Sequence, residues 1–140
     1  MKENTQWVVG FLFRNGREVA LISKTHPEWQ AGKLNGVGGK INEGESPEAA
    51  MRREFLEEAG VEVPEWKEFA LLKVQDGNVH CFAAHGDYEV QSVTDEKIGW
   101  YEVDKLGQLP VIYNLRWLIT LALDPGNTHA VINYFQSHES

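Results

Sequence analysis

Residues Gly39 to Val61 read GKINEGESPEAAMRREFLEEAGV and carry the clearest helix signals of the chain. Ser46 is an N-cap residue type, and Pro47 has the fixed φ that suits a first helical position. Glu48 places negative charge at the positive end of the helix. Gly60 supplies a C-terminal stop. The stretch therefore predicts a helix from Pro47 to about Ala59, carrying Arg53, Glu54, Glu57 and Glu58. At about 100° per residue, Glu54 and Glu58 lie about 40° apart around the axis, and Glu54 and Glu57 about 60°. Like charges so placed cost a helix a few tenths of a kcal/mol per pair. A hard divalent cation reverses that sign: Mg²⁺ takes oxygen ligands, keeps some of its waters and shares phosphate oxygens. For Glu57-Glu58 alone, a solvated acidic face is the plainer account.

On either side of this helix the pattern changes to strands. Trp7 to Phe13 is a β-rich apolar run, Asn15-Gly16 is a hairpin turn pair, and Val19 to Ile22 supplies the return strand. Residues 24–36 mix His, Pro, Gly and Asn and read as a loop, followed by a short strand over Val37 to Ile41 that contains Gly38-Gly39. Downstream, Trp66 to Val74 and Val79 to Ala84 read as strands around the turn Asp76-Gly77-Asn78, and Ile98 to Val103 as another. Asp104 to Gly107 forms a turn or short helix. Leu115 to Leu123 has helical apolar spacing and stops before Pro125. His129 to Gln136 fits a strand or a helix. The order predicts an α/β fold, a mixed sheet between helices.

The chain has 140 residues, 42% hydrophobic and 24% charged, which suits one domain with one sizeable core. No apolar run approaches the roughly 20 residues of a membrane helix. Trp7 to Phe13 is followed by Arg14 without a small-residue cleavage site, so a strand is expected there and not a signal peptide. Cys81 is the only cysteine, which excludes an internal disulfide and fits a reducing, cytoplasmic setting. The net charge of -8 disfavours broad nucleic-acid binding but allows a small phosphate ligand bridged by a cation.

Gly39, Glu45, Arg53, Glu54, Phe55, Glu57, Glu58, Gly60 and Val61 follow the spacing G-x5-E-x7-R-E-U-x-E-E-x-G-U, where U is a bulky apolar residue. Chance occurrence per window is on the order of 10⁻⁹ from average composition. This stretch resembles the Nudix box at every defining position. The resemblance implies an α/β/α sandwich and Mg²⁺-dependent hydrolysis of a nucleoside diphosphate linked to another group, with Mn²⁺ able to substitute. It also implies Glu54, Glu57 and Glu58 as metal ligands, with the backbone carbonyl of Gly38 as a further one. Arg53 and Glu45 are then an orienting ion pair, Gly60 closes the helix, and Phe55 and Val61 pack inward. Members of that family take the general base from the box or from a later loop. Glu54 is the box candidate and Glu96, in Thr94-Asp95-Glu96-Lys97, the loop candidate; a solvated loop acid is the alternative for Glu96.

The segment Gly32-Lys33-Leu34-Asn35-Gly36-Val37-Gly38-Gly39-Lys40 resembles the W-N-G-F-G-G-K segment of the MutT-like branch, with Leu34 in the tryptophan position. Asn35 is either a base contact or a turn asparagine, and Lys40 is a phosphate-binding candidate or an idle surface lysine. Trp100 to Leu106 is similar to that branch's W-F-x-x-x-x-L. Asn114, in Tyr113-Asn114-Leu115-Arg116-Trp117, is a base-recognition candidate or a helix N-cap. Trp117 is expected in the core and Trp29 beside the pocket. Lys73 to Val79 contains no proline, which argues against ADP-ribose. His26, His80, His85, His129 and His138 show no metal-ligand spacing, and Cys81 reads as a buried thiol. The expected substrate is a nucleoside triphosphate, an oxidised purine nucleotide among the candidates, cleaved to a monophosphate and pyrophosphate. The alternative is a nucleoside diphosphate sugar, a dinucleotide or, least expected for an acidic chain, capped RNA, and a binding-only role is third. No membrane or nucleic-acid partner is expected; a homodimer stays open.

Overall fold

The computed structural model describes residues 4–135. Ten regular elements follow in order: β1 Thr5–Arg14, β2 Glu18–Ser23, β3 Leu34–Asn35, β4 Val37–Lys40, α1 Pro47–Ala59, β5 Lys67–Val74, β6 Gly77–His85, β7 Ile98–Glu102, α2 Leu115–Leu123 and β8 Ala130–Asn133. Two 3₁₀ turns, Glu28–Gln30 and Val103–Gln108, join them. All eight strands belong to one sheet, ordered β3-β2-β1-β6-β5-β8, with β4 also on β1 and β7 also on β2. β1–β6 and β5–β8 are parallel and the remaining pairs antiparallel, so the sheet is mixed.

The two helices cover opposite faces. Along β1 the side chains alternate as a pleated strand requires. Val8 and Leu12 face Met51, Phe55 and Ala59 of α1. Phe11 and Phe13 join Leu115, Leu118 and Ile119 of α2 in the other core. These apolar side chains are almost wholly excluded from solvent, each worth about 1.5–3 kcal/mol if fully buried. Gly10 lets α1 approach the sheet: a Cβ there would stand 2.6 Å from Met51 Cε and 2.8 Å from Trp66 Cζ3. The result is the expected α/β/α sandwich.

Local signals account for most boundaries. Asn15 and Gly16 have φ of 57° and 64°, as a type I′ turn needs, and Arg17 N–H closes the turn on Arg14 O at 3.1 Å. Ser46 Oγ accepts from Ala49 N at 3.1 Å, and Gly60, with φ of 73°, donates its N–H to Leu56 O. The structure departs from expectation where packing intervenes. The β5–β6 turn is Gln75-Asp76, one residue earlier than expected. Gly77 is already in β6, pressed against the Thr5 backbone where a side chain would collide. Trp66 precedes β5 because its indole donates to Val63 O at 2.9 Å and fills the α1-side core. The undecided tail forms β8 on β5; Gln136 and His138 lie outside the described residues. Among the described residues no helix is long and apolar enough to cross a membrane.

Candidate active site

The carboxylate face of α1 lies against β4, and one arginine organises it. Arg53 Nε and Nη2 meet Glu45 Oε2 and Oε1 at 2.7 and 2.9 Å, a bidentate pair. Nη2 also donates to Lys40 O at 3.1 Å, while Nη1 reaches Glu54 Oε2 at 3.0 Å and Glu57 Oε1 at 3.4 Å. The expected Arg53–Glu45 pair is thus present. The same guanidinium also relieves the carboxylate crowding that the helix alone would suffer. Its hydrogen bond with Glu45 pushes the Arg53 pKa up and holds the Glu45 carboxyl below its usual range.

Gly39 makes room for Glu54: a Cβ at residue 39 would fall on the Glu54 carboxylate. Glu58 points inward. Burial pushes its pKa up to about 8, and a hydrogen bond and charge from Glu54 add to the rise. Among the described residues no three His, Cys, Asp or Glu side chains converge into a ready metal cage. Arg53 holds Glu54 and Glu57 toward itself, and Glu58 stands with Glu54. The donor set still fits a hard divalent cation, because Glu54 and Glu58 are adjacent oxygen donors, partly desolvated and in need of a positive charge or a proton.

Glu96 is not the exposed loop acid that its surroundings in sequence suggest. It is 5% exposed and is the one buried charged residue among those described. Lys24 Nζ lies 3.1 Å from Oε1, and Oε2 accepts from Thr25 N at 2.7 Å, Thr25 Oγ1 at 3.1 Å and His26 N at 3.3 Å. Burial pulls its pKa upward, but the Thr25 N–H, Lys24 and the His26 N–H outweigh that and hold the carboxyl below its usual range. Glu96 therefore clamps the start of the 24–36 segment to the sheet.

A cleft of about 550 Å³ opens beside this centre, with Gly38 and Gly39 in its wall. Lys24, Trp29, Gln30, Asn35 and Asn114 line it, over an apolar floor that includes Leu72 and Val79. A parallel bridge between Leu34 and Val111 brings the two asparagine segments together, with Leu34 N–H on Pro110 O at 2.8 Å and Ile112 N–H on Leu34 O at 3.2 Å. Leu34, in the tryptophan position of the resembling segment, is thus a buried packing residue. Asn35 Oδ1 accepts from Gly36 N at 2.7 Å, and its Nδ2 donates to Gln30 Oε1 at 3.0 Å.

Asn114 precedes α2 but does not cap it with its side chain. Its φ and ψ of -91° and -2° are already helical, so the side chain does not bend back onto the helix N–H groups. Instead Asn114 Oδ1 is buried without a hydrogen-bond partner among the described residues, and Asn114 lines the cleft. A buried orphan acceptor costs about 1–3 kcal/mol and calls for a ligand or a water.

Other expected site residues stand apart. Lys40 is exposed on β4 and does not line the cleft. Trp117 is 37% exposed and packs on Tyr134 with ring centroids 5.8 Å apart, so it belongs to the surface of α2, whose inner face Leu115, Leu118 and Ile119 fill. Trp29 does border the cleft. Cys81 is buried, and burial pushes its thiol far above the nucleophilic range. His80 and His129 both meet Glu68, at 3.0 and 2.8 Å, away from the cleft. Sequence reading missed Lys24 and Gln30. Lys24 sits in a polar loop that carries no local sign of its ion pair, 72 residues along the chain from Glu96.

Comparison with known proteins shows the family of this chain. The NUDIX domain family matches residues 4–118. A Danio rerio protein named oxidized purine nucleoside triphosphate hydrolase is 36% identical over 84 residues, 54% of this chain and 53% of its own. The Escherichia coli (strain K12) 8-oxo-dGTP diphosphatase is 32% identical over 75 residues, 54% of this chain and 58% of its own. The chain therefore spans about half the length of the curated relatives it matches. A mutator MutT protein of Bacillus halodurans shares the fold, with a TM-score of 0.75 over 96% of this chain and 93% of that one, at 21% identity. With the family match running through β1, the carboxylate helix and most of the cleft wall, the chain belongs to the NUDIX family.

Proposed function

We propose that the protein hydrolyses the α–β anhydride of a nucleoside triphosphate, releasing a nucleoside monophosphate and pyrophosphate. The observation that carries this reading is Asn114 Oδ1, orphaned among the described residues, in a cleft that Gly38 and Gly39 also line, with Gly39 packed against the Glu54 carboxylate. A base seated against Asn114 directs its phosphates toward those glycines and Lys24. Lys24 lines the cleft with Nζ 3.1 Å from Glu96 Oε1, and its remaining N–H donors are suited to a phosphate oxygen.

Glu54, Glu57, Glu58 and the Gly38 carbonyl would hold the cation, Mg²⁺ or in its place Mn²⁺. Bound there, it supplies charge neutralisation at the phosphoryl oxygens and lowers the pKa of water. Glu54 receives the proton of the attacking water. Its Oε2 is held by Arg53, which fixes the carboxylate for that transfer. The water oxygen bonds to phosphorus, the bridging P–O bond breaks, and pyrophosphate leaves. Glu96 is the weaker choice of base, since both its oxygens already accept hydrogen bonds. The names of the relatives support a purine, with an oxidised purine the first to test.

The test is pyrophosphate release from a panel of ordinary and oxidised nucleoside triphosphates in Mg²⁺. Glu54→Gln is expected to lower kcat by on the order of 10²-fold or more. Asn114→Ala is expected to blunt the preference among bases. Cleavage of sugar diphosphates or dinucleotides but of no triphosphate would overturn the substrate reading. Nucleotide binding without turnover in any divalent metal would favour a binding role.

A further inference from the structure

The atoms that face the cleft from the 24–36 segment can be assigned from one backbone group. Gly36 N–H is a donor without ambiguity, so the Asn35 side-chain atom 2.7 Å from it is the acceptor Oδ1. Asn35 therefore turns its NH₂ the other way, toward Gln30 at 3.0 Å. The Gln30 atom that meets it must accept, which makes it Oε1 and leaves Nε2 as the donor on the far side of the amide. Flipping Gln30 would set two N–H groups against each other and forfeit the bond. Among the described residues Gln30 Nε2 has no hydrogen-bond partner, and Gln30 lines the cleft.

The backbone beneath this amide is held in place. Gln30 N–H bonds Pro27 O at 2.9 Å, and Lys33 N–H bonds Gln30 O at 2.9 Å. Lys24 and Gly32 to Lys33 close the base of the segment, with Lys24 N–H on Lys33 O and Gly32 N–H on Lys24 O, both at 2.9 Å. Glu96 clamps its start. The cleft thus contains one amide whose donor face is set by its neighbours, Gln30, and one whose acceptor is orphaned, Asn114. Asn35, which the sequence offers as a base contact or a turn asparagine, has its Oδ1 and one amide hydrogen already engaged.

We propose that Gln30 is a specificity-determining residue that donates from Nε2 to a hydrogen-bond acceptor on the edge of the nucleobase. This rests on the nucleotide reading above and adds to it the group that selects the base. A base with an acceptor at that place is bound. One with a donor there sets N–H against N–H and leaves both unpaired, a mismatch to which sites built on hydrogen bonds are strongly sensitive.

Gln30→Glu is the decisive variant. It keeps Oε1 for Asn35 and replaces only the NH₂ with an oxygen, so a side chain that merely braced Asn35 would tolerate it. Gln30→Met removes the donor without adding charge. Calorimetric titration of the full chain with the common nucleoside 5′-monophosphates, without metal, reads base binding apart from turnover. The expected result is a loss of about tenfold in Kd or more for the preferred base in both variants, with smaller losses for the others. In steady state KM rises while kcat holds within about twofold. Unchanged Kd values in both variants, equal losses for every base, or no monophosphate binding by the wild-type protein would overturn the proposal. A base-selective loss in a protein that turns over no triphosphate would uphold it and overturn the hydrolytic reading instead.

Discussion

Gly39 and Glu54 compete for one volume: the carboxylate of Glu54 rests where any side chain at residue 39 would put its Cβ. A box glycine thereby acts on the chemistry through space, by setting where a glutamate 15 residues later can stand. Gly39→Ala is expected to displace the Glu54 carboxylate and lower kcat by on the order of 10²-fold, the scale of an ångström-level misplacement of a reacting group. Melting temperature should change far less than activity. Full activity in the alanine variant would show that this contact does not position Glu54.

Arg53 holds Glu45, Glu54, Glu57 and the Lys40 carbonyl at once. A lysine offers a single charged point and cannot span these partners. Arg53→Lys should therefore behave almost like Arg53→Ala. Each should lose on the order of 1.5–3 kcal/mol, the scale of a hydrogen bond to a charged group, measured by urea unfolding. Both should also weaken activation by Mg²⁺, read from its concentration dependence. Rescue by lysine would contradict a role that depends on the planar fork.

Glu96 as a clamp and Glu96 as a general base make opposite kinetic predictions. The clamp leaves chemistry in place but releases the 24–36 segment. Glu96→Gln should then raise KM more than it lowers kcat, and should cost stability, because the partly buried Lys24 ammonium is left without its carboxylate. A kcat loss on the order of 10³-fold with KM unchanged would instead assign it the proton transfer.

The metal-free protein should respond to pH in two opposite ways. Glu58 is raised to about 8 in the fold, above its unfolded value near 4.5, so its contribution is fully present below about pH 4.5 and fades as pH rises toward 8. Glu45 and Glu96 are lowered; their contributions are present above about pH 4.5 and are lost as pH falls below it. Urea unfolding in a chelator between pH 5 and 8.5 should show stability declining with pH. Glu58→Gln should flatten that decline, and saturating Mg²⁺ should reverse it as the cation displaces the Glu58 proton. A wild-type profile that rises through this range without metal would refute the placement of Glu58.

The sequence alone determined what depends on neighbours close along the chain. Ser46, Pro47 and Gly60 set the ends of α1, and its 3.6-residue repeat put Glu54, Glu57 and Glu58 on one face. Asn15-Gly16 set the β1–β2 turn through its left-handed φ values. Each of these follows from backbone preferences over a few residues. The remaining features follow from contacts between distant parts of the chain. Glu96 turned inward because residues 24–26, beyond the end of the neighbouring strand β2, supply a cation and two N–H groups. Asn114 faces the cleft because the Leu34–Val111 bridge brings its segment beside Asn35 and Gln30. The tail became β8 because β5 had an open edge to pair with. A polar side chain takes its role from the partner it meets, and these partners come from distant parts of the chain. The α1 carboxylates could therefore be read from local spacing, whereas the clamp and the orphaned amide became legible only in the folded chain.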